Sequence, residues 1–230
     1  MPNLPLVLVP GLCCTGDMYA HQALHIGRTR AVMLANHWRA DTMAAIADQI
    51  LAEAPERFAL AGASMGGYVA FEILRRAPER VDRVVFICTA ARADTPERSA
   101  QRRRDLEVAR QNLMAGIDAF LPALVHPARY EDAEIVRTFH DMAATVGIDG
   151  YARQVEAIIG RADSRPTLAE IKCPALVITG ADDALIPPAL SHEIANGIKG
   201  ARLETIPHCG HMPSMEMPAT TTRLLKAFLS

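Results

Sequence analysis

Charge of one sign is what this chain most conspicuously lacks. Lys and Arg total 24 against 26 Asp and Glu, a formal net charge of -2 over 230 residues. Such a balance gives no electrostatic reason to expect nucleic acid or an anionic membrane as partner. Long apolar runs are missing too. The stretch at 4–12 is interrupted by Pro10-Gly11 and has no basic residues before it. It is too short to span a bilayer and reads as a first strand, so neither a signal peptide nor a membrane segment is expected. Aromatic residues make up 5% of the chain, and the middle third has no cluster that would announce a phosphate or a thioester cofactor. The five cysteines (Cys13, Cys14, Cys88, Cys173, Cys209) are odd in number and show no metal-ligand spacing. Cys13 and Cys14 are adjacent, which rarely permits disulfide geometry. Free thiols in a reducing, cytoplasmic setting are expected, with no metal and no organic cofactor.

Half of the residues are apolar, and they fall into short runs at 6–9, 31–35, 58–63, 84–88, 175–179 and 202–206. Most are continuously apolar rather than alternating, as parallel strands covered on both faces require. Helical patterns separate them, at 17–27, 42–53, 65–76, 188–198 and 218–229. Alternating β and α units predict an α/β fold, a doubly wound and mostly parallel sheet of about six strands. From 95 to 170 no strand is predicted, only helices near 96–114, 117–124, 132–146 and 150–159. The expectation is one domain over 1–230, its core at 1–94 and 171–230, with residues 95–170 inserted as a helical cap. The basic run Arg102-Arg103-Arg104, beside Asp105 and Glu107, reads as a solvated helix face.

Chemistry concentrates in three places. At 58–68 an apolar strand runs into Gly62-Ala63-Ser64-Met65-Gly66 and a helix follows at once. Five residues of that type are a weak signal alone, but framed by strand and helix they become specific. A serine on so sharp a turn takes strained angles, its flanking glycines must be small, and the helix directs N–H groups at the place where an oxyanion forms. A serine nucleophile needs a base, and the base needs an orienting acid. The fifth strand runs into Gly180-Ala181-Asp182-Asp183, and the sixth into Pro207-His208-Cys209-Gly210-His211. Both exits lie at carboxyl ends of strands, where open α/β sheets build their sites. Ser64, an Asp at 182 or 183 and a His at 208 or 211 follow in the chain order of an α/β-type triad.

These blocks, with Gly210-His211-Met212-Pro213-Ser214-Met215-Glu216-Met217-Pro218 and the stretch 161–174, resemble the α/β-hydrolase superfamily across nearly the whole chain. The likeness is greatest to small reduced-cap members of the 3-oxoadipate enol-lactonase and carboxylesterase type. It implies a serine hydrolase with Ser64 as nucleophile, His211 as base and Asp183 as acid. Asp182 is the neighbouring alternative, Asp94 a position some relatives use, and His208 the rival histidine. It further implies oxyanion donors on the backbone of Met65 and Leu12. Relatives most often carry His-Gly where this chain has Pro10-Gly11, which leaves the packing of that loop in question. The implied substrate is a small carboxylic ester or lactone, with no nucleic acid or membrane partner. Lyases of the hydroxynitrile type, C–C bond hydrolases and ligand receptors share the same fold and triad. Met18, Met114, Phe120, Leu124 and Met142 are candidate pocket residues, and Arg102, Arg161 and Arg165 candidate partners for a substrate carboxylate. Cys13, Cys14 and Cys209 flank the catalytic segments, so bulky thiol reagents are expected to block the pocket.

Overall fold

A computed structural model describes residues 4–230. Six strands, β1 (Leu6–Val9), β2 (Val32–Leu34), β3 (Phe58–Ala63), β4 (Val81–Ile87), β5 (Ala175–Gly180) and β6 (Arg202–Ile206), form one sheet. Its order is β2-β1-β3-β4-β5-β6, and every neighbouring pair is parallel. Strand β4 begins earlier than the apolar run at 84–88, because Val81 pairs with Phe58 across a register shift. It ends before Cys88, which turns into a left-handed conformation (φ 44°).

Successive side chains on a strand point to opposite faces, and here both faces are covered. Leu6 and Leu8 join one core layer with Ala59, Ala61, Val85 and Ile178. Val7 and Val9 join the other with Phe58, Leu60, Val84, Phe86 and Val177. That two-sided burial is why the strands read as continuous apolar runs. Helices α1 (Ala20–Ile26) and α10 (Pro218–Leu229) pack on the first face, and α2 (Met43–Glu53), α3 (Met65–Arg76) and α8 (Pro188–Gly197) on the second. Phe71 of α3 stacks on Phe86 of β4 at 4.4 Å between centroids. Full burial of such a ring contributes about 3 kcal/mol.

Residues 96–159 form helices α4 (Pro96–Gln111), α5 (Leu113–Leu124) and α6 (Ala133–Ile159). The boundary between the helices expected near 96–114 and 117–124 falls at Asn112, which adopts extended backbone and whose side chain caps α5 by accepting from Ala115 N–H at 3.1 Å. Thr95 and Asp132 cap α4 and α6 in the same way, satisfying N–H groups the first turn leaves open. Gly147 (φ 66°) divides α6 by a kink, at the place where separate helices over 132–146 and 150–159 were expected. Ile117, Leu121, Phe139 and Met142 bury this layer against the first core. Short helices α7 (Arg165–Leu168) and α9 (Pro213–Glu216) complete the chain. Among the described residues, no helix is long and apolar enough to cross a membrane.

Candidate active site

Ser64 occupies the turn between β3 and α3 with φ 52° and ψ -114°, a conformation that costs a non-glycine residue on the order of 1–3 kcal/mol. The surroundings over-determine it. Its N–H donates to the Ile87 carbonyl at 2.9 Å, and its own carbonyl accepts from Thr89 Oγ1 at 2.7 Å. A Cβ at Gly62 would lie 2.1 Å from the Gly66 carbonyl oxygen, and one at Gly66 would lie 2.1 Å from that of Val9. Both contacts are with backbone, which cannot swing aside, so the turn admits only glycine at these two positions.

His211 leaves the end of β6 and meets Asp183 from the end of β5. The two are 2% and 4% exposed. His211 Nδ1 lies 2.8 Å from Asp183 Oδ2, while Asp183 Oδ1 accepts the N–H groups of Leu185 (3.0 Å) and Ile186 (2.8 Å). A carboxylate oxygen only accepts, so the imidazole hydrogen sits on Nδ1 and the Nε2 lone pair is left over. Nε2 is buried and has no protein partner among the described residues. His211 and Ser64 line one cavity of about 470 Å³.

The alternatives lie elsewhere. Asp182 is exposed, with Oδ2 3.8 Å from His126 Nε2. His208, also exposed, has its ring 6.1 Å from that of His126. Asp94 is buried between two arginines. Among the described residues, two groups have donor atoms spaced as a metal could use, within 4.8 Å of one another: Cys88, Asp183 and His211, and His126, Asp182 and His208. Both are assembled from separated segments, so neither shows as a spacing in the sequence.

The description "alpha/beta hydrolase fold" belongs to the family whose model matches residues 25–218. The chain belongs to the alpha/beta hydrolase family. It is 30% identical over 177 residues to a putative carbamate hydrolase, RutD, of Azorhizobium caulinodans, a match covering 74% of this chain and 64% of that protein. Among solved structures it is similar to a thermophilic esterase from Thermogutta terrifontis (28% identity, TM-score 0.90, 98% of this chain and 89% of that one). It is also similar to the enol-lactonase of Burkholderia xenovorans LB400 (27% identity, TM-score 0.88, 98% and 91%).

The loop after β1 runs beside Ser64, which a Cβ at Gly11 would approach to 3.6 Å. Among the described residues no protein acceptor engages the N–H of Leu12 or of Met65. The loop is braced by residues that sequence reading missed. His37 Nε2 lies 3.0 Å from the Gly11 carbonyl, and Cys13 N–H donates to Gln154 Oε1 of α6 at 2.9 Å. Both side chains are fully buried. The Gly11 carbonyl can only accept, so the His37 hydrogen is on Nε2 and the 3.3 Å approach of Gln154 Nε2 is a contact rather than a bond. Burial lowers the His37 pKa to about 4. A histidine distant in sequence thus holds the Pro10-Gly11 loop.

Glu216 organises the other side. Fully buried, its carboxylate accepts N–H groups of Gly210 (3.0 Å), Met212 (2.9 Å) and His126 (2.7 Å). His211 N–H donates to the Leu124 carbonyl at 2.9 Å. The histidine loop is thereby fixed between Glu216 and the end of α5.

Of the expected pocket residues, Phe120 and Leu124 line the cavity. Met18 and Met142 are core instead, 1% and 0% exposed, and Met114 packs half-buried against the same core. Their helical spacing served packing. Cys13 and Cys14 do reach the cavity wall, but Cys209 does not. Burial pushes the Cys13 thiol up to about 12, and raises Cys14 and Cys209 further. Such raised thiols react slowly as nucleophiles. The basic run also divides: Arg103 and Arg104 are exposed, whereas Arg102 turns inward to the cavity.

Proposed function

We propose that this hydrolase cleaves a small carboxylic ester or lactone through an acyl-enzyme on Ser64. One observation carries the reading: the His211–Asp183 pair leaves an unshared Nε2 lone pair on the wall of the cavity that Ser64 enters from a strained turn. Ser64 Oγ attacks the carbonyl carbon while its proton passes to His211 Nε2. Asp183 stabilises the resulting imidazolium and holds its orientation. The tetrahedral oxyanion takes the N–H groups of Leu12 and Met65, worth about 3 kcal/mol each in comparable sites. Collapse breaks the bond to the leaving oxygen, which receives the proton from His211. Water, deprotonated by the same nitrogen, then releases the acid and restores Ser64. The likeness to an esterase and an enol-lactonase supports the substrate class. The five free thiols support a reducing, cytoplasmic setting.

Ser64→Ala tests the reading in steady-state assays on p-nitrophenyl esters of graded size. The expected loss in kcat is about 10⁶-fold. A variant that keeps a tenth of the activity removes Ser64 as nucleophile.

A further inference from the structure

We infer that the substrate carries a carboxylate remote from the bond that is cleaved, and that the outer edge of Arg102 binds it. The inference rests on the hydrolase reading of the cavity and narrows its substrate class.

It begins from a charge count around Asp94. This carboxylate, its side chain 1% exposed, lies between two guanidiniums: Arg102 Nε at 2.6 Å from Oδ2, and Arg161 Nη2 at 2.8 Å from Oδ1. The side chains of Arg102 and Arg161 are themselves only 18% and 7% exposed. Burial alone would raise the Asp94 pKa, but the Arg102 bond and both guanidinium charges hold it below the usual carboxylate range. One anion therefore faces two cations whose side chains are largely withdrawn from solvent, and the positive charge left over is costly there unless an anion compensates it.

The surplus belongs to Arg102. Arg161 is spent: its Nε and Nη2 donate to the Arg92 carbonyl at 3.2 and 2.9 Å and its Nη1 to the Ile158 carbonyl at 2.8 Å. Its guanidinium also lies over the Tyr68 ring at 4.1 Å. Its contact with Asp94 is an ion pair made in addition to these bonds. Arg102 gives only Nε to Asp94. Neither of its Nη groups has a protein acceptor among the described residues, and the side chain lines the same cavity as Ser64 and His211.

Among the described residues, no other charge on that wall pairs with Arg102. Arg98 adds a cation, with Nη2 donating to the Leu185 carbonyl at 3.3 Å. Asp105 accepts from Gln101 at 2.7 Å, Glu97 lies exposed in the first turn of α4, and neither forms an ion pair with Arg102. A guanidinium anchored through Nε presents its two Nη groups as a fork, the geometry that matches a planar carboxylate.

The test compares monomethyl adipate with methyl hexanoate, which match in chain length and differ in the terminal carboxylate. Wild type should favour the carboxylated ester in kcat/KM by about tenfold or more, the worth of a charge-assisted hydrogen bond. In Arg102→Met that ratio should fall toward one, mainly through KM. Arg102→Lys keeps the charge without the fork and should restore part of it. Asp94 retains Arg161 in both variants, so the fold has no unpaired buried anion to reject, and circular dichroism checks it. Equal kcat/KM for the two esters in wild type, or an unchanged preference in both variants, overturns the inference. So does failure to turn over either ester by a protein whose Ser64 takes a fluorophosphonate. If Ser64 takes no fluorophosphonate, the hydrolase reading itself falls.

Discussion

Asp183 meets His211 through one oxygen and anchors its own loop through the other. Oδ2 takes Nδ1 at 2.8 Å, and Oδ1 takes the N–H groups of Leu185 and Ile186. In Asp183→Asn the amide oxygen must serve the two backbone donors, which turns the NH₂ toward His211 Nδ1. That favours the tautomer with hydrogen on Nε2 and removes the base. A loss in kcat of about 10⁴-fold is expected. Asp182→Asn, at an exposed side chain, should stay within a few-fold. Assays of both variants on one ester decide it; the reverse ranking reassigns the acid.

Glu216→Gln should destabilise the whole C-terminal segment. Three main-chain N–H groups converge on this carboxylate, and a glutamine offers one acceptor oxygen where two are used. Its NH₂ would face donors across a buried contact. The expected cost is about 3 kcal/mol, or a fall in Tm of about 6–12 °C for a chain of this size. Calorimetry checks it, and an unchanged Tm would remove Glu216 as the organiser of the histidine loop.

His37 makes stability depend on pH. Its pKa in the fold is lowered to about 4 by burial, below the value near 6.5 of an unfolded chain. Between these values the unfolded state binds a proton that the folded state refuses, so stability is full above about pH 6.5 and falls as pH drops toward 4. The total is about 3 kcal/mol. His37→Gln retains a donor for the Gly11 carbonyl but does not titrate. Tm measured from pH 7 to 4 should fall less steeply in the variant, and parallel curves would assign the acid sensitivity to other groups.

The parts of this molecule visible in its sequence are the local ones. Strand β3, Ser64 and α3 are continuous, so one stretch of chain states the turn, its glycines and the helix. Most strands read as parallel because they are apolar on both faces, β1, β3 and β5 most clearly. What stayed hidden depends on pairs far apart in the chain. Gln154 reaches Cys13 across 141 residues, and His37 meets the Gly11 carbonyl from 26 residues further along the chain. Arg102 sits in a polar helix beside Arg103 and Arg104, which face solvent, and no periodicity separates it from them before Asp94 is placed beneath it. Asp183 and Asp182 are identical residue types side by side on one turn. Their burial distinguishes them, and burial belongs to the tertiary structure. The methionines misled for the opposite reason, since an apolar residue at helical spacing serves a core as readily as a pocket.

Intact-mass spectrometry after exposure to a fluorophosphonate, with peptide mapping and a Ser64→Ala control, probes the activated serine without presuming a substrate. A single adduct on Ser64, abolished in Ser64→Ala and strongly slowed in His211→Ala, is the expected result. A folded protein that gains no adduct, or gains it on another residue, would contradict the assignment of Ser64 and His211 as nucleophile and base.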